Sequence, residues 1–123
     1  MFQTISAVLI WSDNYRKLAK WYQDVLHLNK IEEIHHPNDT GVGFMVGTVY
    51  LWIGKHSKVK GKNQDPHRHM INFVVKSVSK TYEELKAKDV VFLASPFKAP
   101  TFDKYFATFT DPDNNILQII GGK

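Results

Sequence analysis

A chain of 123 residues, 43% of them hydrophobic, suffices for one compact domain and leaves no room for two sizeable ones. With no cysteine it has neither a disulfide framework, nor a thiolate metal site, nor a thiol nucleophile. The net charge of +4 weakly favours anionic partners, and no window is apolar for long enough to span a bilayer. The start, Met1-Phe2-Gln3-Thr4, lacks the basic segment and apolar run of an export signal, so a cytoplasmic setting is expected.

Ile5 to Trp11 is a near-continuous apolar run, as in a buried strand, and Ser12-Asp13-Asn14 after it suits a helix N-cap. Tyr15, Leu18, Ala19, Tyr22, Val25 and Leu26 then recur at helical spacing, so a helix is predicted from about Tyr15 to Leu26. Lys30 to His35 reads as a strand, residues 36–41 as a turn-rich loop, and Val42 to Val46 as a second strand. Gly47-Thr48 turns the chain into a third, Val49 to Ile53.

Residues 55–68, KHSKVKGKNQDPHR, form a connector. It has no interleaved aromatics for base stacking and no helical period, so it reads as a solvated linker and no nucleic-acid partner is expected. Met70 to Val75 is the next strand, and Ser77 to Lys88 a helix with Val78, Tyr82 and Leu85 inward. Val90 to Ala94 is another strand, Pro96 to Lys104 a loop with two prolines, and Tyr105 to Thr110 a strand leading into a closing hairpin. In that hairpin, Asp111-Pro112 sets the entry and Asn114 or Asn115 takes the left-handed conformation that β-branched residues resist.

The order is βαβββ repeated. Val8 and Ile10 align with Ile71 and Phe73, and Leu51 and Ile53 with Leu117 and Ile119. A strand, a helix with an aromatic pair, a Phe-x-Val strand, a second helix ending near Leu-Lys-Ala-Lys, and a closing Asp-Pro-Asp-x-Asn strand follow in this order. The pattern resembles the vicinal oxygen chelate superfamily, which includes glyoxalase I, bleomycin resistance proteins and extradiol dioxygenases. The resemblance implies an α+β fold in which two βαβββ modules, about 5–54 and 69–121 on either side of connector 55–68, form a U-shaped mixed sheet. Helices would cover its convex side, and the concave side would hold a ligand. It also implies a homodimer.

Strand parity sorts the residues. Val8, Ile10, Leu51, Ile53, Ile71, Phe73, Val75, Leu117 and Ile119 are uniformly apolar and belong under the helices. The opposite set is mixed: Ala7, Leu9, Trp11; Tyr50, Trp52, Gly54; Met70, Asn72, Val74; Ile116, Gln118, Ile120. Metal-dependent members of the resembled family carry His or Glu at four concave positions, which match Ala7, Trp52, Met70 and Gln118 here. One amide and no charge make a poor donor set for a divalent cation, so no cofactor is expected.

His56, His67 and His69 are the alternative, a peripheral zinc or nickel site serving a glyoxalase-type lyase, isomerase or dioxygenase; loop histidines without an assigned carboxylate are more simply solvated. Catalysis without metal would fall to Tyr50, Tyr105 and Asp103 with Lys104, residue types that more often pack or face water. Recognition is the leading expectation: Trp11, Tyr50, Trp52, Met70, Asn72 and Gln118 would bind a small, flat or partly aromatic molecule, with Phe44, Phe102 and Phe106 adding to the cavity where strand register turns them inward. Bleomycin-like cations fit this basic chain poorly. The remaining reading is a non-catalytic structural or regulatory dimer module whose cavity is filled by its own aromatics.

Overall fold

The computed structural model describes residues 1–123. The chain forms two units, residues 1–61 and 62–123, whose boundary falls inside the stretch read as a connector. Each unit is one βαβββ module built on a four-stranded sheet.

In the first unit, β1 (Ala7–Ser12) leads into α1 (Tyr15–Asp24), followed by β2 (Asn29–His36), β3 (Asp39–Val46) and β4 (Val49–Lys55). The sheet order is β1-β4-β3-β2, with β1 parallel to β4 and the other pairs antiparallel. Helix α1 packs on β1, β3 and β4 through Tyr15, Leu18, Ala19 and Tyr22. Beneath it, Ile10, Leu51, Ile53 and Val42 are buried, as strand parity requires.

Phe44 is also fully buried and pairs with Leu51, which places it in this helix-covered core. The expectation that it lines a ligand cavity is therefore corrected: β3 begins at Asp39, and its pairing with β4 fixes the parity of Phe44. The loop expected over residues 36–41 shrinks to Pro37-Asn38 for the same reason, since His36 already pairs with Asp39.

The second unit repeats the plan with β5 (Met70–Ser77), α2 (Val78–Lys86), β6 (Phe92–Lys98), β7 (Tyr105–Thr110) and β8 (Ile116–Gly122), in sheet order β5-β8-β7-β6. Ser77 caps α2 by accepting from the Lys80 N–H at 3.2 Å. Val78 and Leu85 bury against the sheet, and the Tyr82 ring meets Phe92 edge-on at 4.6 Å. Leu117, Ile119, Ala107 and Phe109 form the core beneath.

Two boundaries differ from expectation for physical reasons. Strand β6 runs through Pro96, which was assigned to a loop; the strand is a sheet edge and its pairing with β7 shifts register between Ala94 and Phe97, so the missing N–H breaks no ladder. Both helices stop short of the predicted ends because the chain turns at His27 and Asp89, non-glycine residues with φ of 56° and 63°. The usual glycine signal for a helix end is absent there.

In the closing turn Asn114 takes the left-handed conformation, at φ 67°. Asp111, 4% exposed, holds the turn by accepting from the Asp113 and Asn115 N–H groups and the Asn115 amide, each at 2.9 Å. Asn63 clips the preceding chain to this turn: its side-chain amide donates to Asn115 Oδ1 at 3.0 Å, and its carbonyl accepts from Asn114 Nδ2 at 3.0 Å.

Candidate functional site

On the sheet face of the first unit that α1 does not cover, pairing sets Ala7 beside Tyr50, Leu9 beside Trp52 and Trp11 beside Gly54. The same face of β3 carries Gly41, Gly43 and Met45, opposite Gly54, Trp52 and Tyr50. Two glycines there leave room for aromatic rings to lie on the sheet. A Cβ at Gly41 would fall 2.5 Å from Trp52 Cζ2 and one at Gly43 2.8 Å from Tyr50 Cζ, so the rings occupy the space that side chains would need. Trp52 is accordingly only 5% exposed although no helix covers it.

Trp11 and Trp52 both border Gly54. They form one aromatic surface across the parallel β1–β4 pair, and the Trp11 ring meets His56 edge-on at 5.3 Å. The Tyr50 hydroxyl donates to Glu32 Oε2 at 2.6 Å. Burial, together with this bond and the nearby carboxylate charges of Glu32 and Asp39, pushes the phenol up to about 12. Tyr50 is thus a fixed neutral donor at ordinary pH, unsuited to act as a general base.

At the C-terminal end of β1 and β4 this surface opens into a cleft of about 660 Å³. Its walls are Trp11, Tyr15 and Arg16 from the start of α1, the Pro37–Thr40 turn, and Lys55, His56 and Ser57 beyond β4. The volume is within the range of roughly 300–1,000 Å³ usual for small-molecule pockets. The Arg16 guanidinium lies over the Tyr15 ring, 5.5 Å from its centroid. Helix α1 begins at Asn14 with no side-chain cap and no acidic residue in its first turn; Ser12 Oγ instead accepts from the Asn14 N–H at 3.0 Å.

In the second unit, the face away from α2 gathers Met70, Asn72, Gln118 and Thr108: Met70 pairs with Ile116, Asn72 with Gln118, and Thr108 with Gln118. The Gln118 amide donates to Thr108 Oγ1 at 3.0 Å, so part of its hydrogen-bonding capacity is already committed. Met70 is 47% exposed, Val74 85% exposed, and Ile116 buried. Phe106 shares this face, stacked with Phe97 at 5.7 Å and edge-on to Phe102 at 5.9 Å. Asp103 lies 4.0 Å from Lys98, both in solvent.

The positions matching the metal ligands of the superfamily do not fit a cation. Ala7 and Trp52 in the first unit, and Met70 and Gln118 in the second, provide one amide and no imidazole or carboxylate. His56, His67 and His69 are all exposed, His69 directly preceding β5, and no three His, Cys, Asp or Glu side chains gather into a set able to hold a metal.

The sequence reading placed Trp11, Tyr50 and Trp52 on one face, as in the structure, and likewise Met70, Asn72 and Gln118. It missed Arg16, Asp39 and Lys55 as cleft residues and Glu32 as the partner of Tyr50. The only signal for Lys55 was its place after an apolar strand; for Arg16, its place in the turn after Ser12-Asp13-Asn14.

Two βαβββ modules, each with an uncovered sheet face, define the class. Residues 4–119 match the model of the Glyoxalase/Bleomycin resistance protein/Dioxygenase superfamily, and the chain belongs to that superfamily. It is 25% identical over 114 residues to the uncharacterized protein YraH of Bacillus subtilis (strain 168), spanning 87% of this chain and 89% of that one. Among solved structures, SMU.1112c superposes with a TM-score of 0.82 at 22% identity, covering 98% of this chain and 99% of that one. The fosfomycin resistance protein FosX of Listeria monocytogenes gives 0.75 at 16% identity, covering 100% and 96%. At such identities these structures share the fold alone. No helix is long and apolar enough to cross a membrane.

Proposed function

We propose that this chain is a metal-independent binding protein of the superfamily that holds a small, flat or partly aromatic molecule against the Trp11–Trp52 surface. The observation carrying the reading is the cleft of about 660 Å³ that opens on Trp11, continuous through Gly54 with the Trp52 ring. Rigid aromatic faces bind planar molecules with little entropy cost, and the unreactive Tyr50 suits recognition better than proton transfer. On the uncovered face of the second unit, Met70, Asn72 and Gln118 supply a thioether and amides of the kind found in binding clefts. As a member of this superfamily the chain is proposed to act as a homodimer; light scattering of the purified protein reads this directly.

The test is a thermal-shift screen of planar aromatic compounds against the wild type and Trp11→Ala. Ligands of the native state raise its melting point, and hits should lose their shift in the variant. Silence across a diverse panel would overturn the proposal. So would stoichiometric zinc, nickel or iron in protein purified without a histidine tag and lost on His69→Ala, which would favour a metal-dependent lyase, isomerase or dioxygenase.

A further inference from the structure

The cleft has an unbalanced charge. Two basic side chains, Arg16 on the first turn of α1 and Lys55 at the end of β4, stand in its walls, against one carboxylate, Asp39. Neither Arg16 nor Lys55 forms an ion pair, although Lys20, Lys30, Arg68 and Lys98 all do. The first turn of α1 contains no acidic residue that could neutralise Arg16.

Arg16 is also held in place. Its guanidinium rests on the face of Tyr15, a residue fixed in the core at 8% exposure, which reduces the freedom lost when the planar group engages a ligand. Lys55 is set by the β1–β4 pairing, which puts it beside Ser12 and one residue beyond the Trp11–Gly54 pair. One wall of the cleft is therefore aromatic, through Trp11 with His56 edge-on to it, and its neighbours are cationic.

We propose that the cleft selects planar ligands bearing an anionic group, such as an aryl carboxylate, with the ring against Trp11 and the anion engaged by Arg16 and Lys55. This rests on the binding function proposed above and adds the ligand's charge class. A carboxylate adds Coulomb attraction to both cationic side chains that its neutral isostere lacks, which predicts about a tenfold preference for the anion.

The experiment is calorimetric titration with a matched pair of probes, 2-naphthoate and 2-naphthamide, into wild type, Arg16→Gln, Lys55→Gln and the double variant. Both positions are exposed, so the variants keep the fold, which circular dichroism checks. The expected result is naphthoate binding about tenfold tighter to wild type, a preference reduced in each single variant and abolished in the double one. Raising the salt concentration should weaken only the naphthoate complex. Equal affinity of wild type for the two probes, or a preference that survives in the double variant, overturns the anion assignment and leaves the binding function standing. If neither probe binds, the charge assignment falls; if the thermal-shift panel is silent as well, both proposals fall.

Discussion

The Tyr50 hydroxyl donates to Glu32 Oε2 at 2.6 Å, joining β4 to β2 across Gly43 of the intervening strand. Because Gly43 has no side chain, the phenol can lie over β3 and reach the carboxylate. The folded state holds this proton more tightly than the unfolded chain does, since the phenol rises from 10.0 to about 12. A raised pKa contributes stability that is fully present below about pH 10 and is lost as pH climbs from 10 towards 12. Chemical denaturation across this range should show wild type losing stability more steeply than Tyr50→Phe. The ultraviolet tyrosinate titration of Glu32→Gln should show one phenol ionising earlier than in wild type. Parallel pH profiles for wild type and Tyr50→Phe would refute the linkage.

Gly41→Ala tests the packing of Trp52. Its Cβ would lie 2.5 Å from Trp52 Cζ2, 2.6 Å from the Ile53 carbonyl oxygen and 2.7 Å from Gly54 Cα. Two of those atoms are backbone and cannot swing away, so the variant should lose about 1–3 kcal/mol, the range for overpacked sites. Denaturant midpoints measure the loss, and Trp52 emission should shift as its ring is displaced.

Tyr15→Phe should leave stability unchanged or raise it by about 1 kcal/mol. The Tyr15 hydroxyl is buried without a hydrogen-bond partner, so removing it relieves a desolvated polar group while the ring and its contact with Arg16 stay. A melting temperature several degrees lower than wild type would contradict this account.

Asp111→Ala should destabilise the second unit by about 2–3 kcal/mol, because three donors around the β7–β8 turn lose their acceptor. Asn63 is tied to the same turn, so amide exchange should quicken at Asn63 and Asn115 together. Exchange confined to Asn115 would show that the clip holds without Asp111.

Parity and punctuation were legible from the chain itself. A strand alternates its side chains every residue, so Ile10, Ile53, Leu117 and Ile119 announced the covered face and Trp11, Trp52 and Gln118 its reverse. The repeated βαβββ order and Asp111-Pro112 before the asparagines were equally local signals. The side of the sheet that Phe44 faces was not legible, because it depends on register against β4, and the pairing of Phe44 with Leu51 decides that.

The cleft belongs to tertiary structure alone. Trp11 with Arg16, Asp39, and Lys55 come from three separate stretches of the chain, and no periodicity links them. The parallel pairing of β1 with β4 sets Ser12 beside Lys55, and the short Pro37-Asn38 turn brings Asp39 to the same end of the sheet. Local spacing fixes which way a side chain points from its own strand. Hydrogen-bonded pairing between distant strands decides which other side chains it meets, and the charge of a site is set by that meeting.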